Sequence, residues 1–191
     1  MSRHYGNIAF TERVRDAQTH YGSRAIYARG EARAGRAPGS DALTATELAF
    51  LAERDGFYLA TVSETGWPYV QFRGGPAGFV RVLDDHTLAW ADFRGNLQYI
   101  STGNVAGDDR VALFFMDYAH RRRLKLFGRA SVIEVQDDPD LARRLAVADY
   151  DADVERAVLV AVEAYDWNCP QHITQRFTIA ELDAVHAQVD A

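Results

Sequence analysis

Apolar residues near the start of the chain recur at helical spacing. Phe10, Val14, Ala17 and Tyr21 would form one face of a short amphipathic helix. The segment 29–41, rich in Arg, Gly, Ala, Pro and Ser, then reads as a linker or surface loop. A second helix is predicted from Thr44, with Glu47 completing a capping box, Leu48, Leu51 and Ala52 on its apolar face, and Asp55-Gly56 closing it. The period then shortens to two. Residues 57–63 and 67–73, joined by Glu64-Thr65-Gly66, predict a hairpin. Further strands are expected at 79–83 and 87–92, with Asp84-Asp85-His86 between them. The run 110–118 is nearly all apolar, as expected of a strand buried on both faces. Alternation returns in 122–135 through Leu124, Leu126, Ala130 and Val132. It slips phase at Ile133 and Val135, which predicts a bulge. The last strong strand is 157–167.

Helices intervene. A weak one is expected over Asn96 to Val105. Asp138-Pro139 supplies an N-cap with proline at the first helical position, followed by Leu141, Leu145 and Ala148. Thr178 and Glu181 form another capping box ahead of Leu182, Val185 and Val189. Strands joined by tight turns pair antiparallel, which excludes a doubly wound parallel sheet. The expected fold is mainly β (α+β): a closed or half-closed antiparallel barrel of six to seven strands with peripheral helices. Residues 1–41 would be a helical extension and linker, and 42–191 the barrel domain.

Composition narrows the function. The 191 residues carry 27 acidic and 21 basic side chains, a net charge of −6. Only one basic residue is lysine, Lys125, so the other 20 are arginine. That balance lacks the broad positive footprint of a nucleic-acid binder. No apolar run approaches the roughly 18 residues of a membrane span, and the first residues lack the apolar region of a secretory signal, so a cytoplasmic protein is expected. The single cysteine, Cys169, excludes an intrachain disulfide. The six histidines show neither HxH nor HExxH spacing, so no metal site is expected.

The candidate chemistry lies in clusters of arginine with amides and aromatics. Trp90 to Asn96 (WADFRGN) sits where a strand hands over to a helix. Free N–H groups there attract anions, Gly95 permits close approach, and Arg94 and Asn96 can donate. Asn96 could equally be an ordinary N-cap. In His120-Arg121-Arg122-Arg123 the arginines alternate faces, a pattern that suits either a solvated hairpin tip or an anion contact. Residues 167–176 (WNCPQHITQR) combine indole, amide, imidazole and guanidinium groups able to stack on a planar ring, or to form a polar loop beside a structural Trp. Tyr69, Gln71 and Arg73 alternate onto one strand face, either solvent-facing or part of a site.

In order and spacing, GFYLATVS, GWPYVQFRGG, TLAWADFRGN and DDRVALFFMDYAHRRRLKLFGRA, together with DWNCPQHITQRF near the C-terminus, resemble the pyridoxamine 5′-phosphate oxidase-like flavoproteins over about residues 45–178. The ending resembles one bacterial branch of them. The resemblance implies an FMN-binding split barrel, usually a homodimer with FMN at the subunit interface. Gln71 falls at the oxidase's flavin-binding arginine, with Arg73 two residues on as its replacement. Trp90 falls at a tyrosine beside the flavin. Gly95, Asn96 and Leu97 occupy the place of a Ser-Arg-Lys phosphate clamp, for which Arg94 would be the cationic substitute. Arg123 falls at a flavin-binding glutamine. The oxidase's substrate-holding Arg-x-His is absent, and Trp167, Asn168, Gln171 and Arg176 stand near that end instead.

The function implied by the resemblance is that of an FMN-dependent oxidoreductase acting between a small organic molecule and an acceptor such as oxygen. The alternatives are a non-catalytic FMN store or redox sensor, and a split-barrel module binding haem or F420.

Overall fold

A computed structural model of the chain describes residues 2–34 and 39–183. Seven strands form one antiparallel sheet: β1 (Gly56–Val62), β2 (Pro68–Gly74), β3 (Arg81–Asp84), β4 (Thr87–Phe93), β5 (Arg110–Asp117), β6 (Arg122–Glu134) and β7 (Val154–Trp167). Their spatial order is β2-β1-β5-β6-β7-β4-β3. The inward positions meet in a single apolar core built from every part of that order except the edge strand β2. Its centre is aromatic. Phe57 lies 5.0 Å from Trp90, edge to face, and 4.8 Å from Phe115, stacked.

Most of the helices follow the capping signals. In α4 (Ala45–Ala52) the Thr44–Glu47 box is formed in both directions. α6 (Pro139–Leu145) starts where the Asp138 carboxylate accepts the Leu141 N–H at 2.9 Å. It ends at Leu145, so Ala148 is not on its stripe. Leu141 and Leu145 dock on Ala89, Ala91 and Ala157, whose small side chains let the helix approach the outer face of β4 and β7. Ile133 packs into the same cluster. The phase slip there is therefore burial on a second face. Pairing of β6 with β7 runs unbroken from Gly128 to Glu134, and the irregularity falls earlier, between Phe127 and Gly128. The second predicted capping box is also formed: Thr178 N donates to Glu181 Oε2 at 2.7 Å. Val185 and Val189 lie outside the described residues.

The N-terminal region departs from expectation in two ways. The predicted first helix forms as α2 (Glu12–His20), capped by the extended Thr11, and a short helix the pattern did not show, α1 (Tyr5–Ala9), precedes it. A third helix, α3 (Arg24–Ala34), occupies the first part of the predicted linker. Glu31 fixes it, taking charge-assisted bonds from Arg24 and from Arg15 Nη2 at 3.1 Å. Partial burial opposes ionisation of Glu31, but the bonds from Arg24 and Arg15 outweigh it and hold its pKa below the ordinary value. α1 lies on the sheet, where Tyr5 stacks on Phe127 at 5.2 Å. Asp41, buried, accepts from His4 N at 2.8 Å, while its own N–H bonds the Glu163 carbonyl on β7.

Strand β5 alternates in burial: Val111, Leu113, Phe115 and Asp117 face inward. The other face, with Ala112, Phe114 and Met116, is only half-buried, although the sequence predicts burial on both sides. No second layer of this chain, among the described residues, fully covers that face. Tyr58, Val70 and Phe72 extend the exposed apolar surface across β1 and β2.

Candidate functional site

At the open side of the barrel, β2 and β4 are joined by side chains instead of a backbone ladder. Arg73 Nη1 on β2 donates to Asp92 Oδ1 on β4 at 2.6 Å. Arg156 on β7 stands opposite Asp92 in register, and its Nε and Nη2 donate to the other oxygen, Oδ2, at 3.2 and 3.0 Å. One carboxylate, only 3% exposed, thus holds two guanidinium groups. Arg156 Nη2 also meets Glu155 Oε2 at 2.7 Å, and its Cζ lies 4.8 Å above the Tyr99 ring. Burial opposes the charge on Arg156, but Asp92 and Glu155 more than offset this, so its pKa is raised above the ordinary value.

These groups line a shallow cavity of about 30 Å³ together with Gln71, Gly95, Asn96, Leu97, Tyr99 and Thr102. That volume suits one or two water-sized groups, the scale of phosphate oxygens and far too small for a flavin ring. The Gln71 side-chain oxygen accepts from Ser101 Oγ at 2.9 Å. Arg94, at the rim, has a side chain 57% exposed and approaches Glu155 only at 3.9 Å. Arg73 Nε is buried and has no partner among the described residues.

The helix expected to open at Asn96 starts four residues later, as α5 (Ile100–Gly107). Leu97 and Tyr99 adopt left-handed backbone angles, and Asn96 Oδ1 accepts from Gln98 N at 3.2 Å in a local turn. Arg94, Gly95 and Asn96 therefore lie in an irregular exposed loop that delivers them to the rim of the cavity.

The remaining predicted residues are elsewhere. Trp90 is 1% exposed, inside the barrel core, and is not part of the cavity wall. Trp167 is turned toward α4 of its own chain. Its Nε1 donates to Glu47 Oε1 at 2.6 Å, and its ring meets Phe50 edge to face. Asn168 N donates to the Arg123 carbonyl at 3.2 Å, extending the β6–β7 ladder, and Gln171 is exposed in the next turn.

Arg123 and Arg176 share a wider cavity of about 470 Å³ with Tyr58, Phe114, Tyr118 and His172. Arg176 stacks on Tyr118 at 5.0 Å, and Arg123 Nη2 donates to the Cys169 carbonyl at 3.1 Å. The strand registers fix the relation between the two cavities. Arg73 is level with Phe57, Phe115 and Leu124 and so shares their inner face, whereas Arg123, next to Leu124, points to the outer face. Gln71, Arg73, Arg94, Gly95 and Asn96 form one group. Arg123 and Arg176 form another, on the opposite side of the sheet.

Sequence reasoning missed Arg156, Asp92 and Tyr99. Arg156 lies one residue before the predicted strand 157–167, with no local signal, and only its position opposite Asp92 in β7 reveals it.

The Glu47–Trp167 bond carries a pH prediction. Burial opposes ionisation of Glu47, but bonds from Thr44 and Trp167 prevail and place its pKa below the ordinary 4.5. Its stabilising effect is full above that ordinary value and is lost as pH falls through the lower folded value. Thermal unfolding measured from about pH 6 to about pH 3 should show a drop that Glu47→Gln flattens. Equal slopes in the two proteins would dismiss Glu47 as a contributor.

The fold and site together define an antiparallel split barrel with a cleft at its open side where two arginines meet two carboxylates. The family model for pyridoxamine 5′-phosphate oxidase matches residues 43–176. The chain belongs to that family. Among solved structures, HupZ of Group A Streptococcus matches with a TM-score of 0.53 at 17% identity, covering 71% of this chain and 100% of that one. General stress protein 26 of Bacillus anthracis matches at 13% identity and a TM-score of 0.48, covering 64% of this chain and 91% of that one. Comparison with the curated proteins finds no match. Among the described residues, no helix is long and apolar enough to cross a membrane, and no group of three His, Cys, Asp or Glu is placed to hold a metal ion.

Proposed function

We propose that this chain is an FMN-binding oxidoreductase that works as a homodimer. The observation that carries the reading is the cavity between β2 and β4, lined by Arg73, Gln71, Asn96 and Arg156, with Arg94 exposed beside Glu155 at its edge. The donor set fits a phosphate group. Arg73 keeps a buried N–H unpartnered among the described residues, and the exposed Arg94 can reorient onto an anion. Gly95 adds no side chain to the rim, where even a Cβ would meet nothing within 4 Å.

Support for two subunits comes from the same geometry. The wider cavity with Arg123 and Arg176 faces away from the smaller one, so a single ligand reaches both groups only if a second chain supplies one of them. The half-buried face of β5 and the exposed Tyr58, Val70 and Phe72 offer the apolar surface for that contact.

Bound FMN would supply hydride or single-electron transfer to a small organic substrate and an acceptor such as oxygen. The chain's part is to hold and orient. Arg73, Arg94 and Asn96 neutralise and position the phosphate, Gln71 reaches toward the chain beyond it, and Arg123 places positive charge at the ring edge.

The absorbance spectrum of freshly purified protein, with mass analysis of ligand released by acid, tests the reading directly. Flavin bands and released FMN are expected. A colourless protein that takes up no added FMN overturns the proposal. Arg94→Ala is expected to weaken FMN binding about tenfold, as removal of one charge-assisted contact at an exposed rim should. Unchanged occupancy would remove Arg94 from the site.

A further inference from the structure

Arg156 is a residue of the cleft to which the family resemblance assigns no role, and its surroundings fix it firmly. It is 9% exposed and fixed on three sides: by the Asp92 carboxylate, by the Glu155 carboxylate and by the Tyr99 ring below its guanidinium plane. Among the described residues its hydrogen bonds run from Nε and Nη2, and none runs from Nη1. On the other oxygen of Asp92, Arg73 is held through Nη1 and keeps its buried Nε without a partner among the described residues. Both guanidinium groups line the same small cavity, together with Asp92 and Glu155. Asp92 holds the two arginines side by side, with Glu155 balancing part of their charge, and a planar fork held this way loses little entropy on meeting an anion.

We propose that Arg156 is a specificity-determining residue. Its Nη1 and the Nε of Arg73 would form a two-arginine cradle for a phosphate monoester dianion, so that the protein selects FMN over riboflavin. Asp92 would be a positioning residue that sets the spacing of the pair. This rests on the flavin reading above and deepens it by naming the residue that reads the phosphate.

The experiment compares FMN with riboflavin, which differs only in lacking the phosphate. Wild-type protein, Arg156→Lys and Arg156→Gln are each titrated with both flavins, with quenching of flavin fluorescence as the readout. Wild type is expected to bind FMN the more tightly. Arg156→Gln should weaken FMN about 10- to 100-fold while riboflavin changes less than about threefold. Arg156→Lys keeps a cation beside Asp92 and guards against a simple folding failure; it should unfold near the wild-type temperature and still lose most of the preference. If both flavins weaken equally in the folded lysine variant, or if neither weakens, Arg156 is structural and the proposal is overturned. If wild type binds neither flavin, the flavin reading has failed on its own, and inorganic phosphate then decides the cradle. About 10 mM phosphate should raise the unfolding temperature of wild type but not of Arg156→Lys. The absence of that difference would also overturn the cradle.

Discussion

Replacing Asp92 by alanine is expected to destabilise the protein by about 3–5 kcal/mol, the usual cost of removing one member of a buried ion network and stranding its partners. Asp92 is 3% exposed and accepts from Arg73 at 2.6 Å and from Arg156 at 3.0 and 3.2 Å. Without the carboxylate, two guanidinium groups face each other across a cavity with only Glu155 to offset them. The effect should exceed that of any single surface charge, since exposed pairs contribute only about 0–1 kcal/mol. A chain of this size should lose roughly 10 °C in unfolding temperature, readable by thermal or urea denaturation. Asp92→Asn keeps the shape and one acceptor and should lose less. A second consequence separates this network from ordinary structural pairing. Phosphate should stabilise Asp92→Ala more than it stabilises wild type, because an anion in the cavity then replaces the missing carboxylate. A measured loss below about 1 kcal/mol for Asp92→Ala would mean the network contributes little.

Gly128→Ala is expected to cost about 3 kcal/mol or more, from overpacking against atoms that cannot retreat. A Cβ at this position would lie 2.5 Å from Val160 Cγ1 and 2.6 Å from the Ala161 carbonyl oxygen. The first contact could be relieved by a rotamer change. The second is backbone, inside the β6–β7 ladder, next to the place where Phe127 pairs with Ala164 and Gly128 with Val162. Glu163 is the residue left over there, and the close approach of the two strands depends on the missing side chain. The gain from stiffening the unfolded chain, at most about 1 kcal/mol, does not offset such a clash. Gly103→Ala is the matched control. It lies within α5, where a Cβ would meet nothing within 4 Å, so it should stabilise by about 0.5–1 kcal/mol. Equal behaviour of the two variants in urea unfolding would refute the argument from close approach.

Trp90 and Trp167 mark the limit of what local pattern can tell. The family resemblance sets Trp90 at a position beside the flavin and Trp167 near the substrate-holding end. Alternation along TLAWADF places Trp90 on a face but does not say that this face is the inside of the barrel; burial of Leu88 and Trp90 in the core settles it. Trp167 finds its partners 120 and 117 positions earlier, at Glu47 and Phe50, a distance over which no local pattern carries information. Arg73 and Gln71 fared differently. Their two-residue spacing already put them on one face, and the tertiary structure added Ser101 and Asp92 as the partners that aim them.

By itself the sequence determined the elements whose causes are local. The capping boxes at Thr44 and Thr178, the Asp138-Pro139 helix start, the hairpin around Gly66 and the long apolar strands all rest on contacts within a few residues. The antiparallel order of the strands came from the shortness of their turns. Tertiary structure alone decided what depends on neighbours far apart in the chain. It laid α1 on the sheet through Tyr5 and Phe127 and turned Trp167 onto Glu47 of α4. It set the β6–β7 irregularity at Gly128, and it brought Arg73, Asp92 and Arg156 together from three strands. The physical reason is the same in each case. A cap or a hydrophobic period is satisfied within one or two turns of chain, whereas a buried charge is satisfied by whichever partner the closed barrel places beside it.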